Sequence, residues 1–81
     1  MTTNLNAAKV NEAVSAIVAA DGNVALAKAH NPKFKADLNR MCGDPITPEP
    51  TDAEWQEAAE LVSAHGFDAA ADISYARKMG E

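Results

Sequence analysis

Three prolines within six positions, at 45, 48 and 50, limit the fold of this chain more than any other feature. Proline fixes φ and has no backbone N–H, so neither a continuous helix nor a central strand crosses such a segment. Residues 42–50 are therefore predicted to form a Pro-rich linker on the surface, with Ile46 as its one apolar anchor. The linker divides a single domain, residues 1–81, into N-terminal helices at 5–41 and a C-terminal helical hairpin at 51–79.

Alanine carries much of the apolar content, whereas aromatic and β-branched residues are few. Alanine is the best helix former, and the missing residue types are those that favour strands. The composition predicts an all-α fold, a small bundle of four to five short helices with the Pro-rich linker between the third and the fourth.

The N-terminal half is predicted to contain three helices. The first runs from about Leu5 to Ala20 and ends at Asp21-Gly22-Asn23, where glycine gives the backbone the freedom that a helix end needs. Its apolar residues recur at helical spacing on one face: Val10, Ala13, Val14, Ile17 and Val18. A short helix follows at 24–29.

The third helix is predicted to begin after a break at Asn31-Pro32. Asn31 is its expected N-cap and Pro32 its first-turn residue. Phe34, Leu38 and Met41 are spaced as a core stripe, so we expect this helix to bury that face.

The C-terminal half begins at the clearest local signal in the sequence. Thr51 and Glu54 have the spacing of a capping box, in which each side chain accepts a hydrogen bond from the other residue's backbone N–H. The helix that follows is predicted to end at Gly66, and Asp68 is predicted to cap a last helix at about 69–78. The residues expected to face the core are Trp55, Ala58, Ala59, Val62 and Ile73.

The titratable residues indicate neither an active site nor a metal site. Cys42 is the only cysteine, and it lies at a predicted helix C-terminus, where the dipole disfavours a thiolate. His30, Cys42, Asp44 and His65 do not have the spacing of metal ligands. The chain is therefore predicted not to be an enzyme and to use no cofactor or metal.

The sequence gives no indication of a membrane segment. The N-terminus has neither a basic region nor a continuous apolar region, as a signal peptide would. The longest apolar-rich stretch, 13–20, is far too short to span a bilayer. A soluble, cytoplasmic protein is the expectation, and the sequence leaves its oligomeric state open.

Charge is distributed unevenly along the chain. Between residues 28 and 40 there are four basic residues and one acid, whereas residues 44–72 contain eight acids and neither lysine nor arginine. Such asymmetry orients a domain on a charged partner. The leading prediction is a non-catalytic accessory or adaptor protein that binds a larger protein or enzyme complex. The predicted contact residues are Lys33, Lys35, Arg40, Ile46, Tyr75 and Arg77.

Two other functions remain open. A phage or mobile-element inhibitor would use an acidic surface at Glu54, Glu57 and Glu60 to mimic nucleic acid in a basic groove. A helix-turn-helix regulator is the second alternative, because residues 21–27 resemble the opening of factor-for-inversion-type units. Asn31-Pro32 replaces the Leu-Gly-Ile turn of those units, and the acidic remainder disfavours a nucleic-acid partner.

Two stretches resemble a small helical domain family found in nitrogen-fixation gene clusters and in leader segments of ribosomal peptide natural products. Residues 14–28 match its first helix, Asp and short helix, and residues 54–73 match its Gly-Phe-Asp junction between two helices. Residues 32–50 look like an insertion, and the C-terminus has neither a Gly-Gly cleavage site nor a Cys/Ser/Thr-rich core peptide. The resemblance implies accessory binding to a partner protein, as in the standalone nitrogen-fixation members.

Overall fold

A computed structural model describes residues 6–43 and 45–80, and within these ranges the chain forms four α-helices and no β-strand. The helices are α1 (Ala7–Ala19), α2 (Val24–Cys42), α3 (Asp52–His65) and α4 (Phe67–Met79). The predicted all-α class is confirmed at this level. Leu5, where the first helix was predicted to begin, and Asp44, in the acidic region, lie outside the described residues.

The first helix is capped at both ends. The Asn6 side chain accepts hydrogen bonds from the backbone N–H groups of Ala8 and Lys9, at 2.9 and 3.3 Å. At the other end Asp21 and Gly22 have positive φ, 58° and 88°, and turn the chain toward α2. The predicted stop at this turn is confirmed.

The second helix corrects the prediction of two short helices. It runs through Asn31-Pro32 without a break, although an interior proline costs about 3 kcal/mol and restricts the residue before it. Asn23 caps it, accepting from Leu26 N–H at 3.0 Å. Without a turn at Pro32, the two helices of a helix-turn-helix unit are not formed here.

The core lies mainly between α1, α3 and α4. α1 packs against each of the other three helices, whereas α2 packs mainly against α1. The buried apolar residues are Val10, Ala13, Val14, Ile17, Ala27, Trp55, Ala58, Leu61 and Ala70. The predicted inward faces of α1 and α3 are therefore confirmed, and Ile73 packs against this core as a partly buried residue.

The core stripe predicted for the third helix is wrong. Phe34 is 60% exposed and Met41 78% exposed, while Leu38 is half-buried. The cause is the position of α2, which has only one principal neighbour. Ala27 is the one buried apolar residue that α2 contributes to the core, and Val24 packs against that core as a partly buried residue.

The capping box is confirmed, and its carboxylate does more than cap α3. Glu54 Oε1 accepts from Thr51 N–H at 2.8 Å, and Oε2 accepts from Asn6 N–H at 2.9 Å. One side chain, in a residue only 6% exposed, therefore joins the starts of α3 and α1. The predicted Asp68 cap is wrong, because α4 begins at Phe67, two residues before the predicted start, with Gly66 as its N-cap and no side-chain cap bond.

We expect Glu54→Gln to destabilise the fold by about 1–3 kcal/mol, since the amide NH2 would face one of the two backbone donors that the carboxylate now satisfies. Urea unfolding followed by circular dichroism measures this. The exposed Glu60→Gln is the matched control, expected to stay within about 0.5 kcal/mol of the wild type. Equal stability of the two variants would contradict the assignment.

Candidate functional site

A polar cluster joins α1, α2 and the segment after α2, and we name it the polar clamp: Lys9, Glu12, Asn31, Lys35 and Glu49. Asn31 Nδ2 donates to Glu12 Oε2 and to Glu49 Oε1, each at 2.7 Å. Lys35 Nζ forms ion pairs with the same two carboxylates, at 3.0 Å for Glu49. The clamp therefore fixes the proline-containing turn of α2 against α1.

The clamp also holds the backbone of the proline-containing segment. Lys35 Nζ donates to the carbonyl oxygens of Thr47 and Pro48, at 3.2 and 3.1 Å, and Lys9 Nζ donates to the same Pro48 oxygen. Residues 45–50 have no helix or strand. Ile46 was the predicted anchor, but it is 61% exposed, so that prediction is wrong. The segment is held instead by its hydrogen bonds to Lys9 and Lys35 and by the buried Pro50.

The clamp shifts the pKa values of Glu12 and Lys35. Burial acts to raise the pKa of Glu12, but hydrogen bonds from Lys35 and Asn31 and the Lys35 charge outweigh it and hold the pKa below the usual value. Burial likewise acts to lower the pKa of Lys35, and the bonds to Glu12 and Glu49 raise it instead. Both shifts favour the charged forms, so the clamp is an ionised network at neutral pH.

An open groove of about 890 Å³ lies between α1, α2, Pro45 and Thr47, and we name it the α1–α2 groove. Three residues of the clamp, Glu12, Asn31 and Lys35, are part of its lining. The apolar side chains that line the groove are small on the α1 side and larger on the α2 side. The principal apolar lining residues are Ala16, Ala19, Ala20, Leu26, Phe34, Leu38 and Pro45. Monomeric proteins seldom leave a concave apolar surface of this kind without a use.

Leu26, His30, Phe34 and Leu38 form one row along α2, each four residues from the next, and all four line the groove. Residues at this spacing lie one above another on a helix. From Leu26 to Leu38 the row spans about 18 Å at about 1.5 Å per residue. The groove therefore has the length of about three turns of a helix.

The predicted contact residues do not form one surface. Lys33 and Lys35 both line the groove, but the Lys35 side chain is only 11% exposed and is paired inside the clamp. Arg40 pairs with Asp37 on its own helix. Lys33 has no ion pair within the described ranges and is exposed, so it is the lysine of the groove that remains available to a partner.

The two predicted contact residues on α4 lie away from the groove. Tyr75 is 56% exposed. Arg77 donates to Glu57 Oε2 on α3 at 2.9 Å. They are therefore part of a second surface, formed by α4.

The predicted acidic surface is smaller than the sequence indicates. Glu54 is buried in the capping box, and Glu57 is paired with Arg77. Only Glu60 of the three is exposed with no cation beside it in the described ranges. The acids of α3 are therefore partly used to hold helices together.

Three further findings concern the described part of the chain alone. Residues 6–43 and 45–80 contain no group of three or more His, Cys, Asp or Glu side chains placed to hold a metal ion. None of the four helices has the length and apolar character needed to cross a membrane. Cys42, at the end of α2, is an exposed free thiol.

Sequence reasoning missed both the polar clamp and the groove. The sequence contains the i, i+4 spacing of the row from Leu26 to Leu38, but the predicted break at Pro32 assigned its two halves to different helices. Glu12, Asn31 and Glu49 are far apart in sequence and carry no local pattern. A helix continued through Pro32 would have indicated the row, but not the clamp.

The chain matches no protein-family model, and comparison with curated proteins and with solved structures finds no match. The resemblance of residues 14–28 and 54–73 to the nitrogen-fixation and leader-peptide domains stays a prediction.

We expect Lys35→Met to destabilise the chain by about 1–3 kcal/mol, because it leaves two carboxylates beside Asn31 without their shared cation. Lys33→Met removes the same charge from the same helix at an exposed position and should change stability by less than about 0.5 kcal/mol. Denaturant unfolding at neutral pH compares the two. A Lys35→Met variant as stable as Lys33→Met would contradict the clamp.

Acid should weaken the clamp. Since the pKa of Glu12 is lower in the folded chain, its stabilisation is complete above the unfolded value of about 4.3 and is lost as pH falls through the folded pKa. Glu12→Gln should therefore be less stable than the wild type at neutral pH and lose less stability below about pH 4. Unfolding free energies measured across the acid range test this. Unfolding free energies of the wild type and Glu12→Gln that fall in parallel as pH is lowered would contradict a role for the Glu12 carboxylate.

Proposed function

We propose that this chain is a non-catalytic accessory protein that binds an apolar helix of a larger partner in the α1–α2 groove. The observation that carries the proposal is the row on α2, in which Phe34 leaves 60% of its surface exposed at the wall of an open apolar groove. An exposed aromatic side chain in a concave apolar site is the usual anchor of a protein interface.

The shape of the groove favours a helix as the bound element. One wall is formed by small residues of α1, such as Ala16 and Ala19, and small side chains let another backbone approach closely. The other wall presents Leu26, Phe34 and Leu38, and with His30 between the first two the spacing along α2 is four residues throughout. Amphipathic helices bind such grooves through anchors at i, i+3, i+4 and i+7.

The polar clamp supports this function by fixing both walls before a partner arrives. Lys35 and Asn31 hold α2 against Glu12 of α1, and Lys35 also binds the backbone at Thr47 and Pro48. A preformed groove lowers the entropy that binding must offset.

Charge at the groove favours an acidic residue beside the apolar face of the bound helix. Lys33 is exposed at the groove and has no ion pair within the described ranges. An unpaired charge at an interface rim contributes to orientation and association rate more than to affinity.

The test is affinity capture from the host with tagged wild type and tagged Phe34→Glu, followed by mass spectrometry. A charge on the groove wall should reduce capture of the specific partner at least about tenfold, as expected for an interface anchor. Cultures with and without fixed nitrogen are compared, because the resembling family occurs in nitrogen-fixation gene clusters.

Ala36→Glu is the matched control, since it adds the same charge to an exposed position of α2 outside the groove lining. Both variants should keep the wild-type helix content and unfolding midpoint. Equal recovery of every captured protein by Phe34→Glu and Ala36→Glu would refute the groove as the binding site.

A further inference from the structure

The last helix has an exposed apolar row of its own. Phe67, Ala71, Tyr75 and Met79 follow one another at four-residue spacing on α4. Phe67, Tyr75 and Met79 are among the large apolar residues that remain exposed, at 38%, 56% and 66%. Ala71 is partly buried against the core, but the three larger members of the row stay exposed, because α4 faces the core mainly through Ala70 and Ser74.

Acidic residues accompany this row. Asp68 and Asp72 each lie next in sequence to a member of the row, both are exposed, and neither forms an ion pair within the described ranges. α4 is therefore an amphipathic helix with an apolar row and unpaired acids beside it. This is the chemistry that the α1–α2 groove requires of its occupant.

The two rows also agree in spacing and length. Each consists of four residues four positions apart, and each spans about 18 Å at about 1.5 Å per residue. Rows of this type interdigitate in the most common class of helix packing. Lys33 at the groove then provides the opposite charge for Asp68 or Asp72.

We propose that α4 of a second copy of this chain occupies the α1–α2 groove, with Tyr75 packed against Phe34 and an α4 aspartate near Lys33. The inference rests on the groove of the proposed function and names one occupant for it. Two different surfaces meet, so the contact is either made twice in a two-fold dimer or made once per copy, head to tail, in a ring or an open chain. A partner helix would then compete with the second copy.

Sedimentation velocity of the purified chain, from about 10 μM to about 1 mM, covers the affinities expected of a small interface. The wild type should shift from the 8.5 kDa of one chain to larger species as concentration rises. Phe34→Glu alone and Tyr75→Glu alone should each stay monomeric.

The decisive sample is an equimolar mixture of Phe34→Glu and Tyr75→Glu. The first variant retains a usable α4 and the second a usable groove, so the mixture should form a one-to-one complex that neither variant forms alone. Ala36→Glu and Ala69→Glu place the same charge at exposed positions outside the two rows and should associate as the wild type does. A mixture that stays monomeric beside an associating wild type would overturn the pairing.

Other outcomes separate this inference from the proposed function. A wild type that is monomeric at about 1 mM overturns self-association, while loss of partner capture by Phe34→Glu would still support the groove. If copies associate through the groove but partner capture is unchanged in Phe34→Glu, self-association stands and the proposed function fails.

Discussion

The hydrogen bonds of the Asn31 side chain are the interaction on which the continuity of α2, and with it the α1–α2 groove, depends. Asn31 precedes a proline in the middle of a helix, a position that disfavours helical backbone and removes one helical hydrogen bond. Its amide donates to Glu12 and Glu49 at 2.7 Å each. These contacts, with Lys35 between the same carboxylates, stabilise α2 where it would otherwise break. One continuous helix follows, and with it one continuous wall of the groove.

Three of the four helices form most of the core, and this explains why a chain this small keeps an apolar groove beside the fourth. α1, α3 and α4 share the core, and Glu54 joins two of their starts. α2 adds to that core only the buried Ala27 and the partly buried Val24, and it is held mainly by α1 and the polar clamp. Its larger apolar residues therefore remain available for intermolecular contact. In the proposed function a partner helix covers them, and in the self-association model α4 of another copy does so.

Local signals in the sequence predicted the parts of the fold that local chemistry determines. The capping box at Thr51 and Glu54, the stop at Gly22 and the apolar face around Val14 and Ile17 depend on neighbouring residues, and all are confirmed. The predicted break at Pro32 is wrong because the preference of proline for a helix start is offset by contacts of Asn31 with Glu12 and Glu49, which are distant in sequence. The burial of Phe34 and Met41 was also misjudged, since helical spacing marks an apolar face without telling whether the core or another molecule covers it.

The most direct test of this account is an NMR measurement of backbone carbon shifts across residues 24–42, together with exchange of the Asn31 side-chain amide protons. If α2 is one helix, the carbon shifts should be helical without interruption at Pro32. The Asn31 side-chain amide protons should exchange slowly, because they are bonded to the carboxylates of Glu12 and Glu49. Helical shifts that end near His30 and resume after Pro32, with an Asn31 amide that exchanges as freely as an exposed one, would contradict it. In that case α2 would be two helices, and the groove would have no continuous wall.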